Sequence, residues 1–149
     1  MIFLGADHRG FALKESLKKW LQQQGYSFTD LGNDHLVPSD DYVDFAHKVA
    51  DRVRLDPQYR GIVLCGSGAG VDIVANKVDG IRCALVFDIQ RAIQARQHED
   101  VNMIALPADT LTDLQAQDIT KAFLETDFSA DPRHVRRLDK LAEVERRHQ

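Results

Sequence analysis

Cysteine, tryptophan and methionine are scarce in this chain of 149 residues, which has two, one and two of them. Cys65 and Cys83 are too few for a disulfide framework, and they stand too far apart in sequence for a zinc knuckle. Isolated thiols of this kind are typical of a protein kept in a reducing compartment. The scarcity of cysteine therefore predicts a cytoplasmic protein without stabilising cross-links.

Long apolar runs and a strong excess of one charge are also absent. No segment approaches the roughly 20 apolar residues that span a bilayer. The first five residues lack the basic and apolar regions of a signal peptide. The formal charge of −4 argues against nucleic-acid binding driven by bulk electrostatics. We therefore expect neither a membrane nor a nucleic acid as a partner.

The composition that is present is that of an ordinary globular protein. Hydrophobic residues make up 44% and charged residues 28% of the chain. A chain of this length can bury a hydrophobic core, and it contains no internal repeat, low-complexity tract or linker. We therefore expect residues 1–149 to form one domain.

Apolar periodicity predicts strands that alternate with helices. The predicted strands cover residues 2–6, 26–31, 61–64, 81–87 and 101–106. The predicted helices cover residues 13–21, 46–53, 71–78, 89–98, 112–125 and 133–147. Elements that alternate at this spacing form parallel β-α-β units with right-handed crossovers. The sequence thus predicts an α/β fold with an open five-stranded parallel sheet in the order 2-1-3-4-5, covered by helices on both faces.

The stretch from Leu64 to Lys77 stands out because a strand-like run meets alternating glycines there. Glycines occupy positions 66, 68 and 70, between Cys65 and a helix-compatible run. This order of elements aims backbone N–H groups at an anion, since glycine permits tight turns and close approach. A cysteine near a helix N-terminus can act as a base or a nucleophile. The pattern predicts an enzyme that handles a small phosphorylated or enolisable molecule at this loop.

Other glycine-loop motifs fit the same stretch less well. A dinucleotide fingerprint, G-x-G-x-x-G, would need glycine where the chain has Val71, and it would follow the first strand. The phosphate-loop motif is absent, and Ser67 lacks the outer glycines of a serine-hydrolase elbow. The alternative for the glycine loop is a turn that only packs closely and binds no ligand. The alternative for Cys65 is a structural role as a small buried hydrophobic residue.

Two polar turns are expected to meet at one edge of the sheet. In doubly wound sheets, ligands bind beyond the carboxyl ends of the strands, where the strand order reverses. In the predicted order this point lies between the first and third strands, which are followed by residues 7–10 and 65–70. Asp7 and His8 are therefore predicted to line one crevice together with the glycine loop.

Histidines and arginines in the second half of the chain supply further candidates. His98, Glu99 and Asp100 are consecutive, so their side chains diverge and no metal site is predicted. Arg133 and Arg137 are four residues apart on one helical face, which suits a phosphate clamp. A solvated basic helix is the alternative, because other basic residues follow closely.

Six motifs, taken together, resemble the ribose 5-phosphate isomerase type B family and its sugar-phosphate isomerase relatives. They are GADHRG at 5–10, DYVDFA at 41–46, CGSGAG at 65–70, ANKVDGIR at 75–82, ARQH at 95–98 and RH at 133–134. The resemblance covers nearly the whole chain. It implies a Rossmann-like three-layer αβα sandwich with an extra C-terminal helix, no metal or cofactor, and a homodimer (or a tetramer) with active sites shared between subunits.

The resemblance also implies an activity, the interconversion of an aldose phosphate and a ketose phosphate, typically ribose 5-phosphate and ribulose 5-phosphate. His98 would help to open the furanose ring, and Cys65 as thiolate would move a proton between C2 and C1 through an enediolate. The developing oxyanion would be stabilised by the Ser67 hydroxyl and by backbone N–H groups of the loop. The loop residues concerned are Gly66, Gly68, Ala69 and Gly70.

Substrate-binding roles follow from the same resemblance. Asp7 and Tyr42 would contact sugar hydroxyls or the ring oxygen. His8 would hold the phosphate together with Arg133 and Arg137, the two arginines coming from the other subunit.

Four positions depart from the family's pattern, namely Glu99, Asp72, Asp109 and Val43. The family usually has asparagine where this chain has Glu99, and a small hydroxyl or apolar residue where it has Asp72. It often has arginine near position 109, and it has proline at position 43. Three acidic residues near the site would repel a phosphate dianion unless they point away or pair with cations. Glu99 is counted as substrate-binding, since its carboxylate could hydrogen-bond sugar hydroxyls or act as an additional base.

The departures leave three alternatives open. The substrate could be a six-carbon phosphosugar such as allose or galactose 6-phosphate, or a sugar without a phosphate. The chain could also be a sugar-phosphate sensor without catalytic activity.

Overall fold

The computed structural model describes residues 1–147, which form five β-strands and six α-helices. The strands are β1 (Ile2–Ala6), β2 (Phe28–Asp30), β3 (Arg60–Cys65), β4 (Cys83–Leu85) and β5 (Met103–Pro107). The helices are α1 (Phe11–Gln23), α2 (Tyr42–Val53), α3 (Ala69–Ala75), α4 (Ile89–Glu99), α5 (Asp113–Glu125) and α6 (Pro132–Arg146). The predicted alternation of strands and helices is confirmed.

The strands are parallel and pair in the order β2-β1-β3-β5-β4. The α/β class with a five-stranded parallel sheet is confirmed, but the predicted order 2-1-3-4-5 is wrong in its last two positions. Burial explains the exchange. Every residue of β5 is buried, as expected of an interior strand, whereas every residue of β4 is partly exposed, as expected of an edge.

Both edge strands are shorter than predicted, with three residues each. At β4, the side chain of Asn76 pairs with the backbone as a neighbouring strand would. Its Nδ2 donates to the Cys83 carbonyl at 3.0 Å, and its Oδ1 accepts the Cys83 N–H at 2.9 Å. Asn76 therefore satisfies backbone groups that the edge of a sheet otherwise leaves to water.

Two apolar clusters cover the two faces of the sheet. On one face, α1, α4 and α5 pack with side chains such as Leu17 and Phe123, both fully buried. On the other face, α2 and α3 contribute Val49 and Val71, which are also fully buried. Burial of one such side chain contributes roughly 1.5–3 kcal/mol. The predicted three-layer αβα arrangement is therefore present, and its helices are held by their apolar faces.

The carboxyl ends of β1 and β3 lie side by side, with Ala6 opposite Leu64. The turn that follows β1 packs tightly on β3, because a Cβ on Gly10 would lie 2.7 Å from the Leu64 carbonyl oxygen. The exchange of β4 and β5 leaves this neighbourhood unchanged. Residues 7–10 and 65–70 therefore meet, as the sequence predicts.

The last helix, α6, lies outside the three layers. Its N-cap residue is Asp131, whose Oδ1 accepts the Arg133 N–H at 3.0 Å, and Pro132 occupies the first helical position. His134 is buried, and its ring packs on that of His98 with the centroids 4.5 Å apart. The extra C-terminal helix is thus present, and much of its surface faces away from the rest of its own chain.

Candidate active site

The glycine loop connects the end of β3 to the start of α3. Gly68, which precedes the helix, has a φ of +77°, in the left-handed region that glycine tolerates best. A Cβ at this position would lie 2.5 Å from Cδ1 of Leu85. The backbone conformation and the packing therefore both require glycine here.

Cys65 ends β3 and is 5% exposed. Its Sγ accepts a hydrogen bond from the Gly68 N–H at 3.2 Å, while the residue also belongs to the apolar cluster beneath α2 and α3. The sulfur thus faces the backbone of the glycine loop and not bulk solvent. Cys65 can therefore act as a base only on a substrate atom that enters the loop itself.

Ser67 and Tyr42 border the outer side of the loop. A Cβ on Gly70 would lie 2.7 Å from Cε2 of Tyr42, so the phenol ring rests against the start of α3. Tyr42 is nevertheless 39% exposed, which leaves part of the ring accessible. The exposed Ser67 places its Oγ 3.3 Å from the Ala69 nitrogen, whose N–H it accepts. Both side chains can contact a ligand that lies on the loop.

The turn after β1 fixes Asp7 and His8 beside the loop. The buried Asp7 carboxylate accepts the N–H groups of Arg9 and Gly10, both at 3.0 Å, and so holds the turn. His8 reaches a different partner, since its Nδ1 lies 2.9 Å from Oδ1 of Asp40 and its backbone N–H donates to the same oxygen. Asp40 therefore orients the imidazole with Nε2 turned away from the carboxylate.

Two of the acidic departures have surroundings that differ from each other. The Asp109 carboxylate pairs with the Arg9 guanidinium, with Oδ2 and Nη2 2.5 Å apart, at the mouth of the glycine loop. The charge of Asp109 is thus matched by a cation of the same chain. Glu99 is exposed at the end of α4, remote from that pair.

The third acidic departure, Asp72, faces β4 instead of the loop. Its Oδ1 lies 3.2 Å from Nδ2 of Asn76, and its carboxylate also contacts the Cys83 thiol. Burial raises the pKa of Asp72, although the hydrogen bonds from Cys83 and Asn76 act in the opposite direction. Burial and the Asp72 charge raise the pKa of Cys83 well above its usual value. Cys83 is thus held as a neutral thiol, which suits a structural role.

His98 and Glu99 lie at the other end of the sheet from Cys65. Because α4 follows β4 and runs back along the sheet, its last residues come close to the amino ends of the strands. Arg82, which precedes β4, donates from Nε to the Glu99 carbonyl at 2.9 Å. His98 and Glu99 border a cavity of about 260 Å³ along α4 and the β4 edge. Within one chain, His98 and Glu99 therefore do not lie in the same site as the Cys65 thiol.

Arg133 and Arg137 are exposed on α6, near His98. The link is the buried His134, which stacks on His98 and whose Nδ1 lies 2.7 Å from Oγ of Ser129. The two arginines therefore belong to the same side of the molecule as His98.

The predicted site residues form two groups. The loop group surrounds the carboxyl ends of β1 and β3 and consists of Asp7, His8, Tyr42, Cys65, Gly66, Ser67, Gly68, Ala69 and Gly70. The helix group lies on α4 and α6 and consists of His98, Glu99, Arg133 and Arg137. Sequence reasoning missed Asp40 and the pairing of Arg9 with Asp109, because nothing in the spacing of these residues marks them as partners.

The described residues, Met1 to Arg147, lack both a metal-binding cluster and a membrane-spanning helix. No group of three or more histidine, cysteine, aspartate or glutamate side chains in this range is arranged to hold a metal ion. No helix in the same range has the length and apolar character needed to cross a membrane.

Residues 2–141 match the model of a family described as ribose/galactose isomerase. The chain is also 43% identical over 148 residues to the ribose-5-phosphate isomerase B of Mycolicibacterium paratuberculosis, covering 99% of this chain and 93% of that protein. The enzyme of the same name from Mycobacterium tuberculosis is likewise 43% identical over 148 residues, covering 99% of this chain and 91% of that protein.

Solved structures show the same similarity. The ribose-5-phosphate isomerase B of Mycoplasma genitalium with bound ribulose-5-phosphate superposes with a TM-score of 0.93 at 38% identity, covering 97% of this chain and 95% of that one. The Clostridium thermocellum ribose-5-phosphate isomerase B gives a TM-score of 0.93 at 38% identity, covering 99% of both chains. Both superpositions therefore extend over nearly the whole chain.

Proposed function

The chain belongs to the ribose/galactose isomerase family and is an aldose–ketose isomerase, and we propose that it interconverts ribose 5-phosphate and ribulose 5-phosphate. Relatives that match it over nearly their full length carry the name of that activity. The observation that carries the proposal is the contact between the Cys65 sulfur and the Gly68 N–H at 3.2 Å. This contact supports the proposal, because proton abstraction beside a carbonyl needs a base close to N–H donors.

The proposed reaction moves one proton between neighbouring carbons. With the sugar in its open-chain form, the Cys65 thiolate takes the proton from C2. The C2–H electron pair forms the C1–C2 double bond of an enediolate, while the π pair of the C1 carbonyl moves onto O1. The thiol then returns the proton to C1, and the hydroxyl proton of O2 passes to O1, which leaves the ketose. One well-placed donor to the oxyanion contributes about 3 kcal/mol, so the N–H groups from Gly66 to Gly70 and the Ser67 hydroxyl are central to the rate.

The complete site is proposed to need two copies of the chain. The helix group includes the residues proposed for ring opening and phosphate binding, yet it lies at the opposite end of the sheet from the loop group. The exposed face of α6 supports contact with a partner, because Arg133, Arg137, Leu141 and Val144 lie within one stripe of the helix. Leu141 and Val144 are 48% and 51% exposed, so they extend the two arginines with an apolar surface. We infer a homodimer with shared sites, and a tetramer remains compatible with this pairing.

Within that shared site, each substrate group has a proposed partner. His8, Arg133 and Arg137 bind the phosphate, and the two arginines come from the partner copy. Asp7 and Tyr42, together with Glu99 of the partner copy, contact hydroxyls or the ring oxygen. His98 of the partner protonates the ring oxygen as the furanose opens.

Replacement of the proposed base tests the mechanism. We expect Cys65→Ala to lower kcat by about 10²–10⁴ in a coupled assay of ribose 5-phosphate isomerisation, with an unchanged circular dichroism spectrum. Cys83→Ala removes the other thiol and should keep nearly full activity. Full activity of the Cys65→Ala protein would remove this residue from the reaction.

Mixing two inactive variants tests the shared site. After subunit exchange between Cys65→Ala and His98→Ala proteins, half of the dimers are mixed and carry one intact site, so about a quarter of the parent activity should return. If each site belongs to one chain, the mixture stays inactive. Sedimentation of the parent protein reports whether the assembly has two or four subunits.

A six-carbon phosphosugar is the second candidate substrate, because the carboxylate of Glu99 borders the cavity beside α4. A panel of aldose phosphates, with the free aldoses as controls, separates the candidates. Inhibition by millimolar inorganic phosphate supports a phosphorylated substrate, and its absence supports a free sugar.

A cytoplasmic location, a single domain over residues 1–149 and activity without a metal or cofactor remain predictions from the sequence.

A further inference from the structure

An ion pair spans the mouth of the glycine loop. Nη2 of Arg9 and Oδ2 of Asp109 are 2.5 Å apart, although the two residues are 100 positions apart in the sequence. Their side chains are 58% and 47% exposed, so the pair is open to solvent on one side. Surface pairs of this kind contribute little to stability, because water and salt screen their charges. Stability alone is therefore a weak reason for its presence.

The pair is fixed by the backbone at both ends. The Arg9 N–H donates to the buried Asp7 carboxylate at 3.0 Å. The Asp109 N–H donates to the Gly66 carbonyl oxygen at 3.0 Å. The backbone of each residue is therefore anchored by a hydrogen bond to a residue of the proposed active site.

Gly66 is the residue that the guanidinium covers. A Cβ at this position would lie 2.6 Å from Nε and 2.9 Å from Cζ of Arg9, and 2.9 Å from the Asp109 carboxylate. Gly66 directly follows Cys65, so the positive charge lies against the peptide that adjoins the thiol. A guanidinium has five N–H donors, and the contact with Asp109 engages it at Nη2.

The charge of Arg9 matters because the surroundings are acidic. Asp7 and Asp40 carry carboxylates in the turn and the loop next to it, and the neighbouring His8 is a cation only when protonated. A sugar phosphate approaches this mouth as a dianion. Arg9 supplies a permanent positive charge from the same turn as His8, and a guanidinium matches a phosphate in shape and donor spacing.

We propose that Arg9 binds the phosphoryl group of the substrate and that Asp109 positions its guanidinium over Gly66. The proposal rests on the proposed function, and it adds a cation from the loop side to those that α6 of a partner supplies. Arg9 is the binding residue in this pair. Asp109 acts through Arg9 by holding it in place before the substrate arrives, which reduces the side-chain ordering that binding costs.

Four variants of the full-length protein test the pair. Arg9→Ala removes the cation, Arg9→Asp reverses it, and Arg9→Asp combined with Asp109→Arg restores a pair with its charges exchanged. Arg52→Ala is the matched control, because Arg52 is an exposed arginine in the last turn of α2, away from the loop. The readouts are kcat and KM for ribose 5-phosphate, and the affinity for inorganic phosphate by calorimetry.

We expect Arg9→Ala to raise KM and the phosphate dissociation constant by about 10–100-fold, with kcat within about threefold of the parent. Arg9→Asp should raise both constants further, and in the variant with the exchanged pair both constants should return to within about tenfold of the parent values. Arg52→Ala should match the parent in both constants. A loss confined to kcat, or Arg9→Ala binding phosphate as the parent does, would overturn the proposal.

The calorimetric readout separates this proposal from the proposed function. If the parent binds inorganic phosphate but does not isomerise ribose 5-phosphate, the substrate assignment fails, and the comparison of phosphate affinities still tests Arg9. If the parent isomerises ribose 5-phosphate and Arg9→Ala leaves both constants unchanged, the role of Arg9 fails and the isomerase assignment stands.

Discussion

His8 and Asp40, which are 32 residues apart, are joined by two hydrogen bonds to one carboxylate oxygen, from the backbone N–H at 2.8 Å and from the ring at 2.9 Å. The other oxygen of Asp40 accepts Nδ2 of Asn33 at 3.0 Å. The Asn33 carbonyl in turn accepts Nζ of Lys14, whose side chain is fully buried. A continuous set of hydrogen bonds thus connects the protein interior to the imidazole at the candidate site.

Loss of the Asp40 carboxylate should weaken substrate binding. We expect Asp40→Ala to raise KM for the sugar phosphate about tenfold with a smaller change in kcat, because His8 loses the group that fixes its ring. Steady-state kinetics of the isomerisation measure both constants. Asp34→Ala removes a carboxylate from the same loop, where the Asp34 side chain is 94% exposed, and should behave as the parent. Equal KM values in the two variants would contradict an orienting role for Asp40.

Apolar periodicity was sufficient to predict the fold class but not the position of every strand. The apolar run at 81–87 is at least as long in sequence as the run at 101–106, yet the first gives a three-residue edge and the second a buried strand of five. A right-handed crossover can place the next strand either beside its predecessor or one position further along. Which of the two occurs depends on how the connecting helices α3 and α4 pack on the sheet, which local sequence does not reveal.

The candidate site shows the same division. The loop group was predictable, because the carboxyl ends of neighbouring parallel strands share one edge of the sheet. The partners of its polar side chains were not, since the hydrogen bonds of His8 to Asp40 and of Arg9 to Asp109 span 32 and 100 residues without any periodic signal. In the helix group, the spacing of Arg133 and Arg137 suggested a phosphate clamp, whereas the roles of His98 and Glu99 came through family resemblance. The distance of this group from the thiol became visible only in the fold.

Alanine substitutions at two glycines with similar backbone conformations distinguish the cost of backbone strain from the cost of steric crowding. Gly68 and Gly25 have φ values of +77° and +78°, but a Cβ would meet Leu85 at 2.5 Å in the first case and nothing within 4 Å in the second. We expect Gly25→Ala to cost about 1 kcal/mol, from the left-handed conformation alone. Gly68→Ala should cost about 3 kcal/mol or more, because overpacking is added to that strain.

Urea denaturation measures both changes in the free energy of unfolding. Gly68→Ala should also reduce activity, since the displaced N–H is the donor to Cys65. Similar losses of stability in the two variants would show that the loop can shift to accept a methyl group.

Asp30 should stabilise the fold at neutral pH and lose this effect in acid. Burial alone would raise its pKa, but hydrogen bonds from Lys14, Lys18 and the Gly32 N–H bring the pKa below its ordinary value. A carboxylate whose pKa is lowered by folding contributes its full stability above the unfolded pKa of about 3.9, and the contribution disappears as the pH falls through the folded value.

Asp30→Asn is therefore expected to destabilise the protein by about 2–4 kcal/mol at pH 7, because the fully buried Lys14 loses a charged partner. The difference from the parent should shrink as the pH falls below about 4. Thermal unfolding at pH 7 and at lower pH values measures the trend. Asp127→Asn, at an exposed position, is the control and should unfold as the parent at each pH. A difference that stays constant with pH would show that Asp30 acts through packing and not through its charge.

Asp72 should show the opposite dependence on pH, because burial raises its pKa in the folded protein against the hydrogen bonds from Cys83 and Asn76. An acid whose pKa is raised by folding is penalised in its ionised form, so it lowers stability increasingly as the pH rises through the unfolded pKa. Asp72→Asn keeps the shape of the side chain and an oxygen that can accept from Asn76, but removes the charge. We expect its Tm to exceed that of the parent by about 1–3 °C at pH 7 and to equal it below about pH 4. A lower Tm at pH 7 would mean that the ionised carboxylate is favourable where it lies.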